Sequence, residues 1–285
     1  MNTLKTETQR LLDLLGHAED PIGVYYTGTK PEHGYGPKEG ERFSREREAA
    51  GEIDWQKVGD TFSCIIGNVW LARKKRSAAW ISADHAGCIG GGFYSGMYAP
   101  FMEFIPHYVS TGIPGFAPRG ERYLPSPESM RVFLEAAAPR PAPATYCVLK
   151  PLFLFDEGEC PEVVTFFVRG EVLAGLAQLA FFATGDIDTV AFPFGAGCTS
   201  SITWPLTYLA QGKERAVVGG SDPSCRKFVK TDEMIFSLPI SLYRKMLASM
   251  DASFLTGHTW EGVRKKVLRS RAAWGEAPSE GSVES

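Results

Sequence analysis

VVTFFVRGEVLAGLAQLAFFATGDIDTVAFPFGAGCTSS, residues 163–201, changes its hydrophobic period along its length. Val163–Val168 is a continuous apolar run rich in β-branched and aromatic residues, which predicts a strand. From Arg169 to Thr184 the apolar residues fall at 172, 173, 176, 179, 180 and 183, the stripe of a helix. Residues 188–194 read as another strand. The glycine-rich GAGCTSS then opens a further helix over 199–212, with Pro205 confined to its first turn. Strand, helix and strand in succession place the chain in the α/β class, or α+β, with mixed sheets and helices packed on them.

Working outward, Leu4, Leu11, Leu12 and Leu15 predict an amphipathic helix over 3–16, and PIGVYY (21–26) a short strand. Residues 27–52, rich in Gly, Lys and Glu, read as a mobile surface excursion. A helix over 64–76 ends in Arg73, Lys74, Lys75 and Arg76, cations that suit a helix C-terminus. A strand over 78–83 and a glycine-rich turn over 87–92 follow. Ser126-Pro127-Glu128 is a capped helix start. ATYCVLKPLFLF (144–155) and VVTFFV, separated by DEGEC, form a hairpin candidate. A strand over 216–220 and helices over 241–249 and 260–271 complete the reading. The expected organisation is two pseudo-symmetric halves, 1–140 and 141–272, and a disordered tail, 273–285.

The two halves can be laid over each other. The first runs helix, PIGVYY, insertion, FSC at Cys64, helix, strand and AGC at Cys88. The second runs helix, the 188–194 strand, AGC at Cys198, helix, strand and PSC at Cys225. Cys64 to Cys198 is 134 positions and Cys88 to Cys225 is 137, a near-constant offset. Asp84 and Asp222 each close the strand before the second cysteine. Such symmetry would bring the four cysteines towards the interface of the halves, where ligand pockets tend to form.

Composition narrows the function classes. Of 285 residues 44% are hydrophobic and 22% charged, with a net charge of −3. No basic excess exists to neutralise a phosphate backbone, so no nucleic-acid partner is expected. No apolar run is long enough to span a bilayer, so no membrane partner is expected either. The N-terminus lacks the pattern of an export signal, which makes the cytoplasm the expected compartment. Thiols there stay reduced, so the six cysteines are not expected to form a disulfide framework.

Three chemistries are open to these residues. Cys64, Cys88, Cys198 and Cys225 supply the ligand set of an iron–sulfur cluster or a zinc ion, although no C-x-x-C occurs. The iron–sulfur alternative would carry redox activity and call for an electron-transfer partner, with a small-molecule ligand as the other expected partner. Cys88 in DHAGCIGGG, with His85 three residues before it, is a candidate catalytic nucleophile. Gly195, Gly197, Thr199, Ser200 and Ser201 could receive a small anionic ligand at a helix N-terminus, without catalysis. This segment matches neither G-x-x-x-x-G-K-[ST] nor G-x-G-x-x-G. The aromatic stretch 91–108 is read as core, with a pocket wall as the alternative. The basic run from Arg264 to Arg271 is read as a solvated helix face. Cys147 and Cys160 have no counterpart in the repeat and are read as structural.

PIGVYY, FSC with its helix, AGCIGG, YLPSPESMRVFLEAA, VLKPLFLF, PEVVTFFVRGEVLAGLA, GAGCTSSI and EMIFSLPISLYRKML occur in this order. In that respect the chain resembles the prokaryotic family known as domain of unknown function 169, over about residues 5–255. The resemblance implies a soluble prokaryotic protein with Cys64, Cys88 and Cys198 at characteristic positions. It carries over no catalytic role. The 27–52 insertion departs from the family pattern.

Overall fold

The apolar runs become strands because each can bury both of its faces under helices. The structure, a computed structural model, describes residues 3–98, 100–115 and 117–273. Among these, eight strands form one mixed sheet: β1 Ile22–Thr27, β2 Gly34–Tyr35, β3 Ala78–Ile81, β4 Tyr146–Pro151, β5 Val163–Val168, β6 Val190–Ala191, β7 Ala216–Gly219 and β8 Met234–Pro239. The order is β2-β3-β4-β1-β5-β8-β7-β6. Read from either edge towards the centre, each side begins with a parallel pair, β2–β3 or β6–β7, and continues antiparallel. β1 and β5 meet antiparallel in the middle, with Ile22 opposite Thr165.

Alternation along the strands divides most of the described interior into two large cores, with two small clusters beside them. On one face the helices Ile65–Lys75, Ile89–Tyr94, Phe104–Tyr108 and Pro127–Ala136 bring Ile65, Ile66, Phe93 and Leu134 against Val24, Ile81, Phe167 and Ile235 of the sheet. On the other, helices Thr3–Leu14, Gly170–Thr184 and Ile240–Ser249 bring Leu11, Leu176, Leu179 and Leu242 against Val164, Phe166, Phe236 and Leu238. The cysteines of interest all lie on the first face.

Several expectations need correction. The 144–168 hairpin does not form, because β1 lies between β4 and β5 and pairs with both. The strand over 188–194 shrinks to the two residues of β6 at the sheet edge. PIGVYY occupies the centre as β1, so the two segments matched in the repeat are not equivalent in position. The mixed α/β class holds: the strands form one continuous mixed sheet with helices packed on it, in which β4, which follows residue 140, is flanked by strands that precede it. The helix expected over 199–212 starts as a π-helical turn, Thr199–Thr203, and continues as Trp204–Ala210 with Pro205 at its start. β8 forms where no strand is predicted above, although its apolar Met-Ile-Phe run carries the signal.

The 27–52 excursion is anchored and, with the stretch 53–62 that follows and reaches the cavity described below, forms a cover. It contains β2 and the helix Arg45–Ala49, and the helix Trp55–Asp60 follows directly. The Glu48 carboxylate accepts the Glu103 and Phe104 amides, each at 2.8 Å. Arg45 donates to the Phe101 carbonyl at 2.7 Å, and Arg42 pairs with Asp84. The tail expected over 273–285 lies, from residue 274 on, outside the described residues.

Candidate functional site

Cys64 and Cys88 come together through their neighbours. The Ser63 amide donates to the Gly87 carbonyl at 2.9 Å, which sets the FSC and AGC loops side by side. Gly87 has φ +74° and lies so close to Ser63 that a Cβ would stand 2.4 Å from the Ser63 carbonyl oxygen, so only glycine fits the turn. Each cysteine caps a helix, Cys64 before Ile65–Lys75 and Cys88 before Ile89–Tyr94. Cys198 joins them by a second close approach. A Cβ on the preceding Gly197 would lie 2.8 Å from Ile66 Cγ1 and 2.9 Å from Cys225 Cβ. That glycine is therefore the seam between the Cys198 loop, the helix after Cys64 and the helix Pro223–Arg226 that carries Cys225.

All four cysteines line one cavity of about 770 Å³. Aromatic and aliphatic side chains dominate the rest of its lining: Trp55 and Phe62 from the cover, Phe104 and Tyr108, and Phe133 and Phe194. The aromatic stretch 91–108 is thus divided. Phe93 and Phe101 are core, whereas Tyr94, Phe104 and Tyr108 also face the cavity.

The sulfurs share an electrostatic environment. Burial pushes the Cys88 thiol up to about 12, with Cys64 adding to the rise; the amides of Gly91, Ile65 and Gly90 oppose it. The Gly91 N–H donates to the Cys88 sulfur at 3.0 Å. Burial also raises Cys64, against the amides of Gly67 and Ile66. Cys198 is held well above the ordinary thiol value by burial, then by Cys88, Cys64 and Asp222. Burial and Asp222 take Cys225 up to about 12. Asp222, only 3% exposed, accepts from Ser224 Oγ at 2.7 Å and from the Ser224 and Cys225 amides at 3.1 and 3.2 Å. These thiols are protonated at neutral pH, each close enough to its neighbours to resist their ionisation. Among the described residues, no group of three or more His, Cys, Asp and Glu side chains is arranged to hold a metal ion.

The other expected site residues fall elsewhere. The His85 ring nitrogen Nδ1 lies 3.1 Å from Ser82 Oγ, and its ring meets Trp80 edge-on at 5.3 Å. Among the described residues no hydrogen bond joins His85 to Cys88, whose raised pKa keeps it a thiol rather than a thiolate. Thr199, Ser200 and Ser201 are at most 1% exposed, and among the described residues the hydroxyls of Ser200 and Ser201 find no hydrogen-bond partner. Ser200 packs on β7, where a Cβ at Gly219 would stand 2.2 Å from the Ser200 Cβ. Of the GAGCTSS segment, Ala196, Gly197 and Cys198 reach the cavity. Cys147 is buried in β4, and Cys160 is exposed with Arg244 Nη2 3.4 Å from its sulfur. Sequence reasoning missed Trp55, Glu121 and Tyr123, because none belongs to a spacing pattern and only folding brings them to the cavity.

No helix among the described residues is long and apolar enough to cross a membrane. The family model of DUF169, described as uncharacterised ArCR, matches residues 10–249. No curated protein and no solved structure matches the chain. With more than half of its length matched, the chain belongs to the DUF169 family.

Proposed function

We propose that this DUF169 member holds a thiolate-ligated centre of the iron–sulfur kind, with Cys64, Cys88 and Cys198 as ligands and Cys225 as the fourth. One observation carries the reading: four thiols from four segments remote in sequence line a single cavity. Scattered structural cysteines would fill separate tight spaces in the core. The 770 Å³ available exceeds what packing requires and falls within the range of ligand sites.

The choice between metals is argued from the room in the cavity. A structural zinc ion needs its sulfurs about 2.3 Å from one point. No set of side chains is arranged around such a point among the described residues. A polynuclear cluster holds its thiolates farther apart than a single ion does, and the cavity has volume for one. The thiols now repel one another's ionisation. A cationic iron core reverses that penalty, so loading releases protons and tightens as pH rises. The amides facing Cys64 and Cys88 are N–H donors for the thiolates and would set the cluster's potential. A redox role and an electron-transfer partner follow from this reading.

The test is anaerobic purification, or reconstitution with iron and sulfide, followed by elemental analysis and visible spectroscopy. Iron and acid-labile sulfide in equal amounts, with broad visible absorption, are expected in the native chain. Both should be lost in Cys64→Ser, Cys88→Ser and Cys198→Ser. Folded protein that stays colourless and binds no iron after reconstitution would overturn the proposal.

A further inference from the structure

The same cavity carries a second chemistry that uses none of the cysteines. Trp55 stacks on Phe104 with ring centroids 4.7 Å apart and planes at 27°. Phe104 stacks in turn on Tyr108 at 5.3 Å and 14°. The ladder joins the cover helix Trp55–Asp60 to the helix Phe104–Tyr108. Tyr108 Oη donates to Glu121 Oε1 at 3.1 Å, and Tyr123 Oη donates to Glu121 Oε2 at 3.0 Å. All five side chains line the cavity.

The two phenols are donors at every ordinary pH. Burial first, and the Glu121 carboxylate with it, holds both above the usual tyrosine value. They fix the carboxylate in position and leave each of its oxygens further lone-pair capacity. Charge on the described lining comes from Glu121, Asp222 and Lys227, an acidic excess of one. Asp222 is occupied in capping the helix Pro223–Arg226. A carboxylate fixed by two phenols at the end of an aromatic ladder attracts an organic cation by charge-assisted hydrogen bonding, and the ladder's outer ring faces add their quadrupoles. An anion would meet the Glu121 carboxylate at this end.

We infer that the aromatic end of the cavity is a subsite for an organic ammonium, a small molecule with an apolar body and a cationic nitrogen directed at Glu121. Trp55, 40% exposed, and Phe62, 58% exposed, give the apolar body a route from solvent.

Three probes of one skeleton test this by calorimetry and thermal shift: 3-phenylpropylammonium, 3-phenylpropanol and 3-phenylpropanoate. The ammonium should bind roughly tenfold tighter than the alcohol, and the carboxylate more weakly than either. Glu121→Gln should bring the ammonium to within about twofold of the alcohol, with circular dichroism checking that the variant stays folded. Cys64→Ser should preserve the preference, which separates this inference from the thiolate centre. The inference is overturned if alcohol and ammonium bind equally to the native chain, if the carboxylate binds best, if the preference survives Glu121→Gln, or if no probe binds at millimolar concentration.

Discussion

Asp20 shows how one buried charge couples the fold to pH. Its Oδ2 accepts the Phe153 amide at 3.3 Å at the end of the loop before β1. Burial raises its carboxyl from 3.8 to about 7, against the Phe153 and Leu152 amides and Arg76. A folded-state pKa above the unfolded one means that the native state binds the proton more tightly. That stabilisation is complete below about 3.8 and lost as pH rises through about 7. The native chain should therefore gain stability relative to Asp20→Asn as pH falls from 8 to 5. The slope should approach, at most, about 1.4 kcal/mol per pH unit. Urea unfolding of both proteins across that range checks it, and parallel profiles would refute it. Glycines act at the same scale by exclusion: Gly87 and Gly197 let two cysteine loops approach where any Cβ would collide.

Among the elements, the cover depends on a few polar contacts more than on its own helices, which are too short to persist alone. Glu48 binds two amides at the start of the helix Phe104–Tyr108 and so ties the cover to the aromatic ladder. Glu48→Ala should cost about 1–2 kcal/mol. It should also speed hydrogen exchange at the Glu103 and Phe104 amides, measurable by mass spectrometry or NMR. Unchanged exchange there would mean that apolar contacts alone seat the cover. The elements also show where periodicity misleads. The runs at 144–155 and 163–168 do form strands, yet both prefer β1 as a neighbour, because pairing depends on which strand completes the sheet and not on proximity along the chain.

For the molecule as a whole, the central place of β1 ties the chain together. Its partners are β4 and β5, on opposite sides and from beyond residue 140. Cutting at 140/141 separates β1 from both and opens long unpaired edges. Fragments 1–140 and 141–272 should each fail to give a cooperative transition, whereas the intact chain should unfold in one step with coincident near- and far-ultraviolet dichroism. Independent folding of either fragment would contradict this.

Local sequence determined much of this protein. The helices after Ser126 and Cys64, the apolar runs of β1, β4, β5 and β7, and the family membership were all readable from composition, spacing and order. The cysteine offset also singled out the four thiols that share the cavity. Tertiary structure alone decided strand order, the shrinkage of β6, the work of the 27–52 segment and the recruitment of Trp55, Glu121 and Tyr123. The physical reason is range. Propensity and capping act within a few residues. A cavity wall is assembled from segments whose contacts exist only after the sheet has closed between them.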